Sequence, residues 1–424
     1  MLFQRWLMSR PLRVAVDCRR GLGSGVGRVT QSLAKAVIEL SRRRPILPVL
    51  LMAPGAQPGF ERLAEIHHIN IPFHSQKDRF EYPELLSKLS VDVFFAPQYY
   101  VVPYSPCLTI RHVHDLWPLL HSEWIPTPAE FRSRFGLEHL EESLLFTTNF
   151  LRNPPKAFVE SQCISSFVER NKENPIAVYY GVMFFLALEL SNKVIVPSQH
   201  TLEEIRSVFP SALPRVSVVP NAVDPAFVQR ESLALRQMRV RDAAVLHVAN
   251  WEPRKNIECL LDAFAQLRDS GFSANLALVG NHGTSDYAEK IQRLIASHPY
   301  RESINVYGFI SDDALVDLFK RVLVFVSSSH YEGFCIPVQE AMASGVPVIA
   351  SNKTALAEIC RDAALFFDPS DSGTLADQLI TVLTNAQLQQ DLAVRGLANA
   401  RSFGFDTFTQ SLMMLIHGLE ESEQ

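Results

Sequence analysis

Cysteine is scarce in this chain. Six cysteines occur in 424 residues, at 18, 107, 163, 259, 335 and 360, with no C-x-x-C pair and no metal-ligand spacing. That pattern excludes a disulfide framework and a zinc site and fits a reducing compartment. Glycine is sparse at 18 residues, so collagen-like and low-complexity architectures are excluded. Positive charge is not in excess: 40 Lys and Arg stand against 45 Asp and Glu, a formal net charge of -5, which argues against nucleic acid as a partner. Long hydrophobic runs are missing too. The most lipid-like stretch, IAVYYGVMFFLALEL at Ile176–Leu190, falls short of the roughly 20 residues needed to span a bilayer. It reads as a buried core helix, with a membrane-surface contact as the alternative. The N-terminal MLFQRWLMSRPL has Arg5 and Arg10 but neither the apolar run nor the cleavage pattern of a secretory signal, so a cytoplasmic protein is expected. No G-x-S-x-G elbow and no Walker loop occurs, which leaves a hydrolase triad and a P-loop enzyme without support.

With hydrophobic residues at 47% and charged residues at 20%, the chain is of globular type. Its length suits two domains of roughly 100–200 residues each. Short apolar runs alternate with longer helical patterns, the signature of βα units and parallel sheets, which gives an α/β fold class. Candidate strands in the first half are Leu12–Asp17, Ile46–Met52, Val91–Ala96, Leu108–Val113, Lys193–Pro197 and Val216–Val219. Those in the second half are Ala244–Ala249, Asn275–Gly280, Asn305–Gly308, Leu323–Ser327, Val346–Ala350 and Ala364–Phe367. Val219–Arg239 breaks the rhythm and reads as a hinge or linker. From Phe131 to Asn192 no strand pattern occurs, which suggests a helical insertion at about 131–192. The expected domains are 1–225, 226–404 and a C-terminal helix at 405–424 that packs back on the first domain.

The sharpest local feature is SSSHYEGFCIPVQEAMASG at Ser327–Gly345, where a strand ends in a polar loop and a helix begins at Pro337, with Gly345 just past its end. A helix N-terminus at the carboxyl end of a parallel strand is an anion site, and phosphate is its natural ligand. Glu332 and Glu340, the latter placed in the first turn, suit neutral hydroxyls of a sugar or ribose, while the backbone N–H groups of Gly333–Cys335 take the charge. The competing reading makes Glu340 a partner of the helix dipole and Glu332 a solvated loop residue. In ANWEPRKNIECLLDAF, Arg254 and Lys255 precede an amphipathic helix with Leu260, Leu261 and Phe264 inward; the pair can hold a diphosphate leaving group or form a solvated charge run. GLGSGVG at Gly21–Gly27 follows the first strand, but Val26 and Arg28 break the G-x-G-x-x-G fingerprint, which disfavours a nicotinamide enzyme. IRHVHDLWP ends another strand with His112, His114 and Asp115, and a strand end carries polar side chains over a cleft.

With these pieces placed, the chain resembles the family 4 glycosyltransferases, retaining enzymes of GT-B architecture with two facing Rossmann-like domains and parallel sheets. Glu332–Glu340 matches the family's E-x7-E motif, and DCRRGLGSGVGR, HDLWPLLHSEW, VIVPSQHTLEEI, VPNAVDPAF, EPRKN and AALFFDPSD follow in the family's order from Val14 to about Phe408. The resemblance implies that Glu332 contacts donor-sugar hydroxyls near the reacting carbon and that Glu340 holds the ribose. Gly333, Phe334 and Cys335 line sugar and phosphate, Lys255 with Arg254 binds the diphosphate, and His114 lies by the transferred sugar. Gly25 and Gly27 bring the first domain's backbone to the phosphate and acceptor side. No metal is implied, in keeping with the absence of a D-x-D pair at a strand end. Three residues depart from the family's pattern: Asn250 where many members carry Arg, Cys335 in place of a common Gly, and Ser328 in place of a usual Pro. The EPRKN wording resembles the mannosyltransferase-like branch, which implies GDP-mannose as donor and a glycan or lipid-linked glycan acceptor. Loose peripheral membrane contact through Trp6, Ile176–Leu190 and the insertion is a further expectation. The rival readings are a nucleotide-sugar epimerase or hydrolase of the same architecture and a non-catalytic GT-B glycan-binding or partner protein.

Overall fold

The computed structural model describes residues 10–20, 25–56, 59–60, 62–72, 75–99, 105–228, 245–283 and 285–422. Two compact units emerge. The first runs up to Pro220 and takes in the stretch from Asp406 onward, and the second runs from Asn221 to Phe405.

The first unit is a seven-stranded parallel sheet. Its strands are β1 (Leu12–Cys18), β2 (Ile46–Met52), β3 (Glu65–His68), β4 (Val93–Ala96), β5 (Leu108–His112), β6 (Lys193–Val196) and β7 (Val216–Val218), in the order β3-β2-β1-β4-β5-β6-β7. The central strands are continuous apolar runs because helices cover both faces of a parallel sheet, and Val14, Ala15, Val16, Val49, Leu50 and Leu51 are fully buried. The strand β3 was not among the expected ones. It is a half-exposed edge strand reading EIHH, so it carries no apolar run, and it is tied down by the Arg13–Glu65 ion pair at 2.8 Å.

The apolar stretch near 180 forms the helix Pro175–Glu189, capped by the Asn174 side chain, which accepts from the Ile176 and Ala177 N–H groups. Every residue from Ile176 to Leu188 is buried, and Tyr99 stacks on Phe184 at 3.9 Å. A helix apolar on all sides is a core helix. The membrane-surface alternative for this run is therefore overturned, since no face of it is left for lipid. Around it lie Pro128–Phe135, Leu137–Arg152, Lys156–Glu160 and Gln162–Arg170, the helical insertion, which contains no strand among the described residues. Trp6, the other expected membrane contact, lies outside the described residues. Among the described residues no helix is long and apolar enough to cross a membrane.

The second unit is a six-stranded parallel sheet of β8 (Val245–Val248), β9 (Leu276–Val279), β10 (Ile304–Gly308), β11 (Val324–Ser327), β12 (Val348–Ser351) and β13 (Ala364–Phe367), in the order β10-β9-β8-β11-β12-β13. From β8 the chain winds outward to β9 and β10, then returns to place β11 on the other side of β8. This reversal is the topological switch point at which open α/β sheets hold their ligands. The expected linker is corrected in its first part. Val223 and Phe227 belong to the core of the second unit, Val223 N–H donates to the Phe403 carbonyl at 2.9 Å, and Ser344 Oγ donates to the Phe227 carbonyl at 3.1 Å. The rest of that stretch, from 229 on, lies outside the described residues.

Gly280 is demanded by close approach to backbone. Gly280, at the end of β9, has φ 139°, and a Cβ there would run into the Ala249 carbonyl at the end of β8. Gly308 also has a positive φ, 62°, but its Cβ position is open to 3.9 Å. Gly308→Ala should cost about 1–2 kcal/mol of stability, the strain of the left-handed region alone. Gly280→Ala should cost clearly more, because β8 and β9 must part. Urea unfolding of the two variants beside the wild type checks the order, and equal costs would contradict the packing described.

Candidate active site

The site is built where β8 and β11 end side by side. After β8 the chain makes a single 3-10 turn, Pro253–Lys255, and then enters the helix Ile257–Asp269 through Asn256, which is left-handed at φ 50°, ψ 52°. Asparagine tolerates that conformation better than other residues with a Cβ. Its buried side chain uses it, donating from Nδ2 to the Pro369 carbonyl at 2.8 Å and the Ser328 carbonyl at 3.2 Å. In return Ser328 Oγ donates to the Lys255 carbonyl at 3.0 Å, and His330 N–H donates to the Arg254 carbonyl at 2.8 Å. The two connections are thereby joined along their length.

This joining brings together three residues singled out in sequence. Lys255 Nζ lies 2.6 Å from Glu332 Oε1, and Arg254 Nη1 lies 3.3 Å from Glu332 Oε2. Ser329 Oγ donates to Glu332 Oε1 at 2.7 Å, while Arg254 is braced by Glu252 at 2.9 Å and by the Tyr331 carbonyl at 3.4 Å. Glu332 is 5% exposed and Glu340 1%, so the alternative of a solvated loop carboxylate is overturned for the first, and the second is a core residue, not a surface partner of the helix dipole. Nor are Arg254 and Lys255 a solvated charge run, since their side chains are only 15% and 12% exposed. Burial alone would raise the Glu332 pKa; Lys255 and Arg254 outweigh it and hold the carboxyl at about 2.

The following helix spans Ile336–Ala343, beginning one residue before the expected Pro337, so Glu340 sits in its second turn and not its first. The helix is entered through Cys335, left-handed at φ 70°, ψ 74°. Glycine would take this conformation without strain, which is the physical sense of the family's preference for it here. The Cys335 Sγ turns toward Ser327 Oγ at 3.7 Å, and burial, with Glu332 nearby, pushes its thiol up to about 12. The residue is a neutral thiol and leaves the helix N-terminus free of negative charge. Phe334 packs edge-on against Phe403 at 5.5 Å inside the core, so it offers only its backbone to a ligand, as Gly333 does by nature.

In the first unit the candidates gather at the ends of β1, β4 and β5. His114 Nε2 bonds the Pro97 carbonyl at 2.7 Å, which assigns the proton to Nε2 and leaves Nδ1 as an acceptor. Burial holds its pKa down at about 4, so the imidazole is neutral at physiological pH. His112 packs on it with ring centroids 4.2 Å apart, and Arg20 Nη1 donates to Gln98 Oε1 at 2.6 Å. Gly25 opens the helix Gly25–Ser41 and Gly27 is buried in its first turn, while Gly21–Ser24 lie outside the described residues.

Four site residues were not found in sequence. Asn256 and Ser329 act through hydrogen bonds that join distant loops, and Thr354 accepts the Glu332 N–H at 2.9 Å. His247, buried on β8, bonds the Val326 carbonyl through Nδ1 at 2.9 Å and has its pKa lowered to about 4 by burial and by Lys255. Asn256 and Ser329 lie inside the EPRKN and SSSHYEGFC stretches but had no role assigned, and Thr354 and His247 carried no signal, because each is an ordinary polar residue until its partner is known. Among the described residues no group of three or more His, Cys, Asp and Glu side chains could hold a metal ion.

Two parallel α/β units, the second with a buried cation pair at its switch point, define the GT-B class of glycosyltransferase folds. Residues 233–397 match the family described as Glycosyl transferases group 1. Over 165 residues the chain is 34% identical to the O-antigen chain mannosyltransferase B of Escherichia coli, covering 39% of this chain and 43% of that relative. The chain thus spans less than half the length of that relative. Among solved structures it is similar to a sucrose-phosphate synthase from Thermosynechococcus elongatus, with TM-score 0.65 and 16% identity over 97% of this chain and 100% of the other. It is also similar to Anabaena HepE in complex with UDP and glucose, with TM-score 0.63 and 18% identity over 96% of this chain and 99% of the other. At these identities the structural matches show the fold.

The Glu332 cluster has a measurable signature. Because the folded pKa lies below the ordinary 4.5, at about 2, the cluster contributes stability that is complete above pH 4.5 and is lost as pH falls toward 2. Thermal unfolding of the full chain between pH about 5 and about 2.5 should show a shallower acid slope for Glu332→Gln than for the wild type. Equal slopes would contradict the ion pairing.

Proposed function

We propose that the protein is a retaining hexosyltransferase that moves mannose from GDP-mannose to a glycan or lipid-linked glycan acceptor in the cytoplasm. The observation that carries this reading is the Lys255–Arg254–Glu332 cluster at the switch point beside the N-terminus of Ile336–Ala343. When a nucleoside-diphosphate sugar enters, its diphosphate competes with the Glu332 carboxylate for the two cations. The carboxylate is then released to accept hydrogen bonds from the sugar hydroxyls. As the glycosidic bond to the diphosphate breaks, Lys255, Arg254 and the helix N-terminus absorb the developing charge. Glu340, buried in the same helix, is assigned to the ribose, and the neutral His114, with a free Nδ1 lone pair, to a sugar hydroxyl. Mannose as the sugar is supported by the EPRKN wording and by the mannosyltransferase relative.

Thermal unfolding with GDP, UDP, GDP-mannose and UDP-glucose in parallel tests the donor. A ligand at 100 times its dissociation constant should add about 2.7 kcal/mol of stability. GDP and GDP-mannose should stabilise, and Lys255→Ala should weaken that binding by roughly 10- to 100-fold. Stabilisation by the uridine nucleotides alone would replace the donor, and none by any nucleotide would remove the transferase reading. Glu332→Ala should fold and bind GDP but lose transfer. Hexose released at the full rate without acceptor would instead identify a hydrolase.

A further inference from the structure

Among the described residues five without glycine's freedom have positive φ, and three of them, Asn256, Cys335 and Thr354, lie at the site. The first two occupy the left-handed helical well. Thr354 does not: at φ 53°, ψ -138° it stands in a region suited to glycine, and its branched Cβ makes the conformation costlier still. Strain of this kind persists only where the surroundings impose it, and the bonds around Thr354 show what imposes it here. The Glu332 N–H donates to Thr354 Oγ1 at 2.9 Å, and the next N–H, that of Ala355, donates to the Glu332 carbonyl at 3.2 Å. Three residues earlier, at the end of β12, Ser351 Oγ donates to the Ser329 carbonyl at 2.5 Å. The connection after β12 therefore clasps the backbone of Glu332 on both its donor and its acceptor.

We infer that Thr354 is a positioning residue for Glu332, an inference that rests on the transferase reading above. In the free protein the carboxylate is fixed through its side chain by Lys255, Arg254 and Ser329. When the two cations turn to the diphosphate, only Ser329 and the backbone clasp remain to aim it at the sugar. The hydroxyl of Thr354 thus matters most once donor is bound, which is why the strained residue is kept where glycine would fit at no cost.

The test uses the full chain with Thr354→Ser, Thr354→Ala and Thr354→Gly. Serine keeps the hydroxyl, alanine keeps the backbone strain without it, and glycine removes both. Transfer from the donor found above should run within about twofold of wild type in the serine variant. In both the alanine and glycine variants kcat should fall roughly 5- to 10-fold, with donor KM changed less than about twofold. Glycine should nevertheless unfold at a higher temperature than alanine, and the Glu332 amide should exchange with solvent about tenfold faster in both than in wild type or serine. A glycine variant with wild-type kcat, rates that follow unfolding temperature in place of the hydroxyl, or an unchanged Glu332 amide would each overturn the inference. A wild type that transfers no hexose, with the amide pattern intact, overturns the transferase reading and the positioning role together while leaving the clasp itself standing.

Discussion

A carboxylate taken out of water costs several kcal/mol unless its charge is met, and Glu332 is met by Lys255 at 2.6 Å and Arg254 at 3.3 Å. Much of the second unit's local structure follows from holding those three groups together. The left-handed Asn256 brings Lys255 back toward β11, Ser328 returns a bond to the Lys255 carbonyl, and Ser329 supplies the remaining partner of the carboxylate. A buried ion pair of this kind is poor evidence for stability in itself, since an apolar replacement often does as well. What it does here is hold Lys255 and Arg254, both largely buried, against one carboxylate at the switch point.

The sheet order explains why these groups meet. Glu332 and Lys255 are 77 residues apart, yet β8 and β11 are neighbours because the chain reverses direction of winding between them. Both connections leave the carboxyl ends of their strands, so their loops must share one edge. The first unit repeats the device, with β1 next to β4 and β4 next to β5, and its polar candidates collect at the corresponding ends.

Strands were legible wherever burial on both faces made them continuous apolar runs, as in β1 and β2. The edge strand β3 was illegible for the same reason, since its exposed EIHH carries no such run. The Glu332–Glu340 spacing and the cations of EPRKN stood out in the sequence, but a helix-dipole partner and a solvated charge run fitted them as well, and only the burial of Glu332, Lys255 and Arg254 decides against solvation. What escaped is what depends on a partner far away in the chain. Thr354 reads as a loop threonine until the Glu332 N–H is found on it, and Val223 and Phe227 read as linker until the core that receives them is seen. The apolar helix at Pro175–Glu189 was ambiguous because a core helix and a lipid-facing one have the same composition, and only the neighbours that cover it decide.

The first unit holds a second buried ion cluster, and the two differ in how far they are closed to solvent. Arg19 bonds Asp17 at 2.8 Å and Asp78 at 2.7 Å, with its guanidinium 4.3 Å from the Tyr82 ring. All three charged side chains there are 3% exposed or less, so the guanidinium is enclosed by its own carboxylates and nothing from solvent can exchange with them. In the second unit two cations share the buried Glu332 carboxylate, Arg254 is also paired with Glu252 at 2.9 Å, and the cations keep 15% and 12% of their side-chain surface open while Glu332 keeps 7%. The Asp17–Arg19–Asp78 cluster, saturated and closed, fixes the end of β1, which is a scaffold's task, whereas the cations of the Glu332 cluster keep part of their surface open to solvent.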